Sequence, residues 1–233
     1  MLESGAETSR VEETIAYLAC AYGVPVESMV TPTGLTVSVG EEETTTRIAR
    51  VHRRSIDLDK VTRLNELSRE LVVHKVDLEQ ALTRVEDIRH APPGFGRWTQ
   101  LLAAALGGLG YTALAGGTGA ELLAGALAGL LVRLLGERFS KAFPPFVTTS
   151  LAAFVATLWA TLNVALLGLD SQKIVLGAIL PLMPGLALVA SVRDLMAGEL
   201  VSGLARGAEA MLTASAIAVG VLMGLSLQRS WGL

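Results

Sequence analysis

Five charged side chains lie in residues 181–210, between two strongly apolar stretches of the chain. They are Arg193, Asp194, Glu199, Arg206 and Glu209. A charge at the centre of a bilayer costs about 2.5–3.5 kcal/mol on insertion scales, so such charges are rare and tend to be functional. An arginine can hold a carboxylate through paired N–H donors, and an acid can pair with an arginine, bind an ammonium or carry a proton. The segment is therefore a candidate site for a small anionic or zwitterionic solute.

Two prolines interrupt the apolar stretch before these charges. Pro181 and Pro184, the second followed by Gly185, lie inside a predicted membrane helix and predict that it kinks or unwinds. Unwound backbone at membrane depth is tolerated only where it is buried in protein or lines a cavity. Secondary transporters build binding sites from such broken helices. An ordinary positively charged loop with arginines reaching to the interface is the alternative.

Polar residues after the break recur at helical spacing. Glu199, Ser202, Arg206 and Glu209 are separated by three, four and three positions, which places them on one face of a single helix. Gly203 and Gly207 on the adjoining surface predict close approach to a neighbouring element. The candidate substrate and gating residues are Pro184, Gly185, Arg193, Asp194, Glu199, Ser202, Gly203, Arg206 and Glu209.

Composition divides the 233 residues into a polar part and an apolar part. Hydrophobic residues make up 51% of the chain and charged residues 18%, yet residues 1–97 hold 12 of the 19 lysines and arginines. Residues 91–94 read Ala-Pro-Pro-Gly, a natural boundary. We predict a membrane α-helical bundle of about five spans, in residues 95–233, preceded by a small cytoplasmic α+β domain in residues 1–94. The spans are expected at about 98–116, 121–138, 146–167, 174–192 and 207–227.

Basic residues in the short loops predict the orientation in the lipid bilayer. Arg133, Arg138, Lys141, Arg193 and Arg206 fall on one side, against Lys173 and Arg229 on the other. The polar start of the chain has no apolar segment typical of a signal peptide. We therefore predict a multi-pass protein of the cell (inner) membrane, with a cytoplasmic N-terminus and the C-terminus outside.

The residue pattern of the first 94 positions predicts a helix, a hairpin through residues 31–34, a further strand and two more helices. Asp57 is expected to cap the second helix, and Asp77 with Gln80 the third. A hydrolase with its site here is an alternative function, and its candidate residues are His52, His74, Asp57, Ser38 and Thr36. No GxSxG or HExxH pattern supports it. A membrane sensor or assembly protein is a third possibility.

Other features exclude several classes of ligand. The net charge is −3 and basic residues are mixed with acidic ones, so no nucleic-acid partner is expected. The single cysteine, Cys20, allows no internal disulfide and is predicted to be a small buried residue. No metal-ligand spacing occurs, and we expect neither a metal nor a cofactor. Asn163, in the third span, is expected to bond to a neighbouring helix.

The run P-G-x(7)-R-D-L-x-x-G-E-x-x-S-G-x-x-R-x-x-E-A over residues 184–210 resembles the signature of the threonine/serine exporter family. The stretch DLDKVTRLNELSREL and the hairpin before it resemble the amino-terminal domain of that family. The resemblance implies a secondary exporter, driven by the proton-motive force, of threonine and serine or, as in some relatives, of a dicarboxylate such as succinate.

The chain differs from the fused members of the family, in which a second set of spans follows the first. It resembles the larger subunit of the split, two-component version. This resemblance implies as partner a second small membrane subunit with four or five spans. Self-association is the alternative.

Overall fold

The computed structural model describes residues 1–40, 44–52, 55–73, 76–92 and 94–230. The chain forms two compact units. The first comprises Met1–Gly94 together with Leu186–Gly207, and the second comprises Phe95–Gly185 together with Ala208–Leu233. His74, one of the hydrolase candidates, lies outside the described residues.

A helix and a three-stranded sheet open the first unit. Helix α1 spans Thr8–Ala21, and strands β1 (Val26–Thr31), β2 (Gly34–Val39) and β3 (Thr45–Arg50) form an antiparallel sheet in the order β1-β2-β3. Thr31 pairs with Gly34 across the hairpin, so the connection is the tight turn that the sequence predicts. Cys20 is exposed, so its predicted burial is wrong. It follows the buried Val11 by nine positions, which at 3.6 residues per turn puts it on the opposite face of α1.

Two helices complete the amino-terminal part of the first unit, α2 (Leu58–Val72) and α3 (Leu78–His90). Asp57 caps α2, because its carboxylate accepts a hydrogen bond from the Lys60 amide at 3.1 Å. Asp77 stands at the N-cap of α3 but its side chain makes no capping hydrogen bond, so the predicted capping box is wrong. The buried apolar side chains of this helix pair are Leu67, Leu71, Val76, Ala81 and Ile88.

The second unit is helical. It contains α4 (Arg97–Leu114), α5 (Ala120–Phe139), α6 (Pro145–Leu167), α7 (Ser171–Ile179), a 3-10 turn (Leu180–Leu182) and the larger part of α9 (Leu200–Ser230). Its core is built largely from small side chains, among them Ala128, Ala153, Ala156, Ala160 and Ala178. Small residues let helix backbones approach closely, which is how helices associate in lipid.

The chain breaks where the prolines predict. The 3-10 turn ends at Met183, whose backbone is extended (φ −62°, ψ 134°), and helix α8 begins anew at Gly185 and runs to Met196. The last predicted span, at 207–227, lies inside the longer helix α9, which begins at Leu200. Polar side chains between 199 and 206 interrupt the hydropathy pattern without interrupting the helix, whose bonds are made by the backbone.

Within the described residues, α6 and α9 are long and apolar enough to cross a membrane. The broken pair Ser171–Leu182 and Gly185–Met196 supplies a third span if its halves cross as one. Helices α4 and α5 have 18 and 20 residues, but α5 carries four charged side chains. These are Glu121, Arg133, Glu137 and Arg138.

Among the described residues, Asn163 makes a hydrogen bond within its own helix in place of the interhelical bond expected of it. Its amide donates to the carbonyl of Trp159 in its own helix, at 2.8 Å. The Trp159 indole instead bonds to the carbonyl of Ala124 on α5, at 3.0 Å. An asparagine within a helix can reach the carbonyl four positions earlier, which competes with partners on other helices.

Glycines bring α4, α5 and α7 together around Thr112. A Cβ on Gly108 would overlap the carbonyl oxygen of Gly125, and a Cβ on Gly125 or Gly177 would overlap the Thr112 hydroxyl. The neighbouring Gly107 faces open space within the unit. Packing therefore requires glycine at positions 108, 125 and 177 but not at position 107.

We expect Gly108→Ala to destabilise the second unit, and Gly107→Ala to leave it unchanged or slightly more stable. Forcing a methyl group into packed backbone costs about 1–3 kcal/mol, and both variants gain the same helix propensity. Thermal unfolding of the two purified variants in one detergent checks this. Equal melting temperatures would contradict the close packing at Gly108.

Candidate functional site

A buried ion pair joins α8 to α9. Arg206 Nε lies 3.1 Å from Asp194 Oδ2, and the side chains of Arg206 and Asp194 are 12% and 0% exposed. Both residues belong to the first unit. Charges are buried in proteins only when paired, and removing one partner of such a pair is strongly destabilising. The pair is the most deeply buried charged feature among the described residues.

The turn at Gly198 brings the two charges together. Gly198 adopts φ +89°, a left-handed conformation that glycine takes without a Cβ penalty. The amide of Glu199 bonds to the Asp194 carbonyl at 2.9 Å and that of Gly198 to Leu195 at 3.1 Å. These bonds form a Schellman motif, which ends α8 and reverses the chain. Asp194 in the last turn of α8 then faces Arg206 in the second turn of α9.

Small and hydroxyl side chains line the contact between α8 and the start of α9. The Ser191 hydroxyl donates to the carbonyl of Gly203 at 2.6 Å. A Cβ on Gly203 would lie 2.5 Å from Leu195 Cγ, and one on Gly207 would lie 2.9 Å from Ser191 Oγ. The close approach predicted for the two glycines is therefore made, and the neighbouring element is α8.

The start of the chain covers this ion pair, through a covering segment formed by residues 6–8. The Arg206 guanidinium donates to the Ala6 carbonyl at 2.8 Å. Glu7 Oε1 lies 2.5 Å from the Arg193 guanidinium, and the hydroxyl of the fully buried Thr8 adjoins the Asp194 carboxylate. Ala6, Glu7 and Thr8 thus contact Arg206, Arg193 and Asp194, respectively.

The site retains unused hydrogen-bonding capacity. Among the described residues, Asp194 Oδ1 and the Thr8 hydroxyl have no hydrogen bond of ordinary geometry. Leaving a buried polar group unsatisfied costs about 1–3 kcal/mol, so such groups are rare and recur at functional sites. One oxygen of Asp194 is therefore held by Arg206 while the other can accept a further proton or donor.

The structure divides the predicted site residues between the two units. Arg193, Asp194, Glu199, Ser202, Gly203 and Arg206 lie in the first unit, and Pro184, Gly185 and Glu209 lie in the second. The predicted four-residue face needs correction, because α9 begins at Leu200 and Glu199 belongs to the turn. Ser202 is buried and Arg206 half-buried, whereas Glu209 is exposed. The inward face therefore carries a serine and an arginine.

Sequence reasoning missed the covering segment. Glu7 and Arg193 are 186 positions apart, and Ala6 and Arg206 are 200 apart, so no local pattern connects them. The available signal was the acidic start of the chain, with Glu3 and Glu7, together with the two arginines of residues 181–210.

A second charged cluster, also unpredicted, lies in the second unit. The Glu121 carboxylate accepts from the amide of Thr118 at 2.9 Å, the amide of Asp170 at 3.2 Å and the Lys173 ammonium at 3.2 Å. It joins the start of α5 to the start of α7. Its partners are mostly backbone amides at helix ends, which fits a role in holding two loops together.

The hydrolase candidates have structural partners. Asp57 caps α2, and the Ser38 hydroxyl shares a hydrogen bond of 2.9 Å with Thr46 on the next strand. Thr36 lies within β2, and His52 follows β3 and lines a cavity of the first unit. Asp57 and Ser38 are thus engaged in helix capping and in cross-strand pairing.

Long apolar helices and a broken helix pair are features of a membrane protein. The family model of the threonine/serine exporters (ThrE) matches residues 1–228, and the chain belongs to this family.

Curated relatives carry transport names. The chain is 29% identical over 231 residues to the "Probable threonine/serine exporter" of Mycobacterium tuberculosis, covering 97% of this chain and 44% of that protein. It is 31% identical over 246 residues to the "Probable succinate transporter subunit YjjP" of Escherichia coli, covering 100% of this chain and 91% of that protein. Identity to the "Threonine/serine exporter" of Corynebacterium glutamicum is 25% over 238 residues, covering 97% of this chain and 49% of that protein.

The chain thus spans less than half of two relatives and nearly all of the third. No solved structure matches the chain. The relatives are named as exporters and transporters and not as enzymes, in agreement with the prediction of a transporter.

Proposed function

We propose that the chain is one subunit of a secondary exporter for small carboxylate-bearing solutes, and that the Asp194–Arg206 pair is its gate. The observation that carries the proposal is the burial of this pair at the turn between α8 and α9, where Asp194 is fully buried and the Arg206 side chain is 12% exposed. The proposed cargo is threonine and serine or a dicarboxylate such as succinate, the two solute classes in the names of the relatives.

Arginine chemistry supports a carboxylate cargo. A carboxylate, that of Glu7, is already bound to Arg193 in this structure, at 2.5 Å. The Arg206 guanidinium is occupied by Asp194 and by the Ala6 carbonyl. A solute carboxylate offers the same acceptor geometry to a guanidinium fork. In our proposal it competes with Glu7 and Ala6, so the covering segment holds the closed state.

A proton can open the same pair. Protonating Asp194 removes the charge that holds Arg206, and among the described residues neither oxygen of Asp194 has a hydrogen bond of ordinary geometry that would exclude a proton. Arg206 would then be an uncompensated cation in a buried place, which favours its exchange onto a solute carboxylate. In this way proton entry is coupled to solute binding. We propose this coupling as the means by which the proton-motive force drives export.

The lengths of the relatives support a two-component assembly. The chain covers 44% and 49% of two exporters but 91% of a protein named as a subunit. We propose a separate membrane partner with four or five spans that supplies the part corresponding to the rest of the longer relatives. Self-association is the alternative assembly.

Five spans remain our proposal for the membrane domain. At 1.5 Å per residue, the 18 residues of α4 and the 20 residues of α5 extend about 27 and 30 Å, close to the thickness of a bilayer core. The charges of α5 lie in its first turn and its last two turns, where they reach the interface. With the N-terminus inside, this count puts the C-terminus outside.

Glu7→Gln is expected to raise efflux, and Arg193→Gln to lower it. A partly exposed ion pair contributes about 0.2–1 kcal/mol, so releasing Glu7 should increase efflux by up to about fivefold. Initial rates per membrane-inserted molecule measure this. Glu13→Gln is the matched control, since Glu13 is an exposed acid on α1 that pairs with Arg10 at 3.9 Å. Unchanged efflux in both Glu7→Gln and Arg193→Gln would contradict the proposed competition.

A further inference from the structure

A cavity of about 670 Å³ lies in the first unit, apart from the ion pair. The charged side chains of its lining are Lys60, Arg89 and Glu3, and Met1 and His52 also line it. Cavities of 300–1,000 Å³ are the size that encloses small organic ligands. With two permanent cations against one acid, the charge of the lining favours an anion.

Lys60 is the less compensated of the two basic side chains of this cavity. Its ammonium donates to the Arg89 carbonyl at 2.9 Å, and among the described residues no carboxylate lies within ion-pair distance of it. Arg89 has one acidic neighbour, Glu86, at 3.7 Å in an exposed pair. An ammonium that is held at a helix end by a carbonyl retains two donors for an oxyanion.

Apolar side chains form the remaining wall. Leu64 of α2 and Val85 and Ile88 of α3 line the cavity beside the two cations. The opposite wall is fixed by backbone bonds, because the Ser55 amide donates to the Glu3 carbonyl at 2.9 Å and the Asp57 amide to the Ser4 carbonyl at 3.1 Å. The cavity thus combines a cationic end, an apolar side and a defined shape.

We propose that this cavity binds a small organic anion, with its phosphate or carboxylate on Lys60 and Arg89 and its apolar body against Leu64, Val85 and Ile88. Glu3 makes the site selective, since it opposes anions of high charge density that lack an apolar body. The same stretch that supplies Glu3 and Ser4 continues into the covering segment at residues 6–8. We therefore expect a ligand in the cavity to influence the covering segment, which closes the proposed gate.

Calorimetric titration of the full chain in detergent tests the proposal, with empty micelles as the blank. The probes are phenyl phosphate and benzoate, which have an anionic head and an apolar body, inorganic phosphate, which is the head alone, and phenol, which is the body alone. We expect saturable binding of phenyl phosphate or benzoate that is at least tenfold tighter than that of either part. Added NaCl should weaken it.

Substitutions of the charged lining residues test whether the anion binds in this cavity. Arg89→Gln and Lys60→Gln are each expected to weaken binding at least fivefold, and Glu3→Gln to tighten it. Arg63→Gln is the control, because Arg63 is an exposed cation on α2 that pairs with Asp59 at 3.7 Å and does not line this cavity. Arg89→Gln keeps the carbonyl that holds Lys60, so it remains informative if Lys60→Gln fails to fold. No saturable binding of either probe, or binding unchanged in Arg89→Gln, would overturn the proposal, whatever the transport assays show.

Discussion

Replacing Asp194 with asparagine is expected to reduce solute efflux per membrane-inserted molecule by more than about tenfold. Asparagine has the size of aspartate and can still accept a hydrogen bond from Arg206. It can neither carry a proton nor neutralise the guanidinium, and each 1.4 kcal/mol of lost interaction corresponds to a factor of about ten. Efflux of a preloaded solute, divided by the amount of membrane-inserted protein, measures the effect.

Asp87→Asn is the control for this substitution. Asp87 lies in the same unit, on α3, and is exposed, so the same chemical change there should leave efflux at the wild-type rate. Wild-type efflux in Asp194→Asn would remove Asp194 from the gate. A fall of equal size in Asp87→Asn would show that the assay reports folding and not the site.

Replacing Arg206 with leucine is expected to have the largest effect on stability. The substitution leaves Asp194 charged, fully buried and without its cation, and removing one partner of a buried pair costs about 3–5 kcal/mol. Membrane abundance and melting temperature should both fall. Arg84→Leu is the control, because the Arg84–Glu70 pair is exposed and contributes at most about 1 kcal/mol.

The double variant Asp194→Leu with Arg206→Leu separates stability from function. Well-packed apolar residues in place of a buried ion pair are often neutral or stabilising, so the melting temperature should return close to that of the wild type. Efflux should remain absent, because the group that binds the carboxylate and the group that carries the proton are both gone. A double variant that is stable and exports normally would show that the pair is structural.

Local signals in the sequence predict most of the helices. The apolar run of α6 predicts a helix at 146–167, and the structure has Pro145–Leu167. The prolines at 181 and 184 predict the break before α8, because proline removes a backbone donor and clashes with the preceding turn. These features depend on residues that are close in sequence, which is why one sequence suffices for them.

Features that depend on distant residues could not be predicted. The pairing of Glu7 with Arg193 joins positions 186 apart, and nothing in either neighbourhood specifies the other. Cys20 was assigned to the core by residue type, although the position of Val11 on α1 places it outward. Hydropathy predicts the membrane span at 207–227, whereas the helix that contains this span begins where its backbone bonds begin, with the Gly203 amide on the Glu199 carbonyl at 2.9 Å.

The candidate site could be predicted from the sequence only in part. Spacing in the sequence identifies Asp194, Ser202, Gly203 and Arg206 as neighbours near one turn, and the turn at Gly198 joins them as an ion pair and a close helix contact. Spacing does not reveal that the pair is shielded by the amino-terminal end of the chain. That shielding suggests a closed gate, which an exposed charged loop would not.

Efflux of preloaded serine, threonine and succinate from cells that express this chain, with and without the proposed partner subunit, is the most direct test of the account. The account predicts that one of these solutes leaves the cells when both proteins are present, that neither protein suffices alone, and that Asp194→Asn abolishes the efflux. Retention of all three solutes by cells in which both proteins are inserted in the membrane would contradict the assignment of a two-subunit exporter for these solutes.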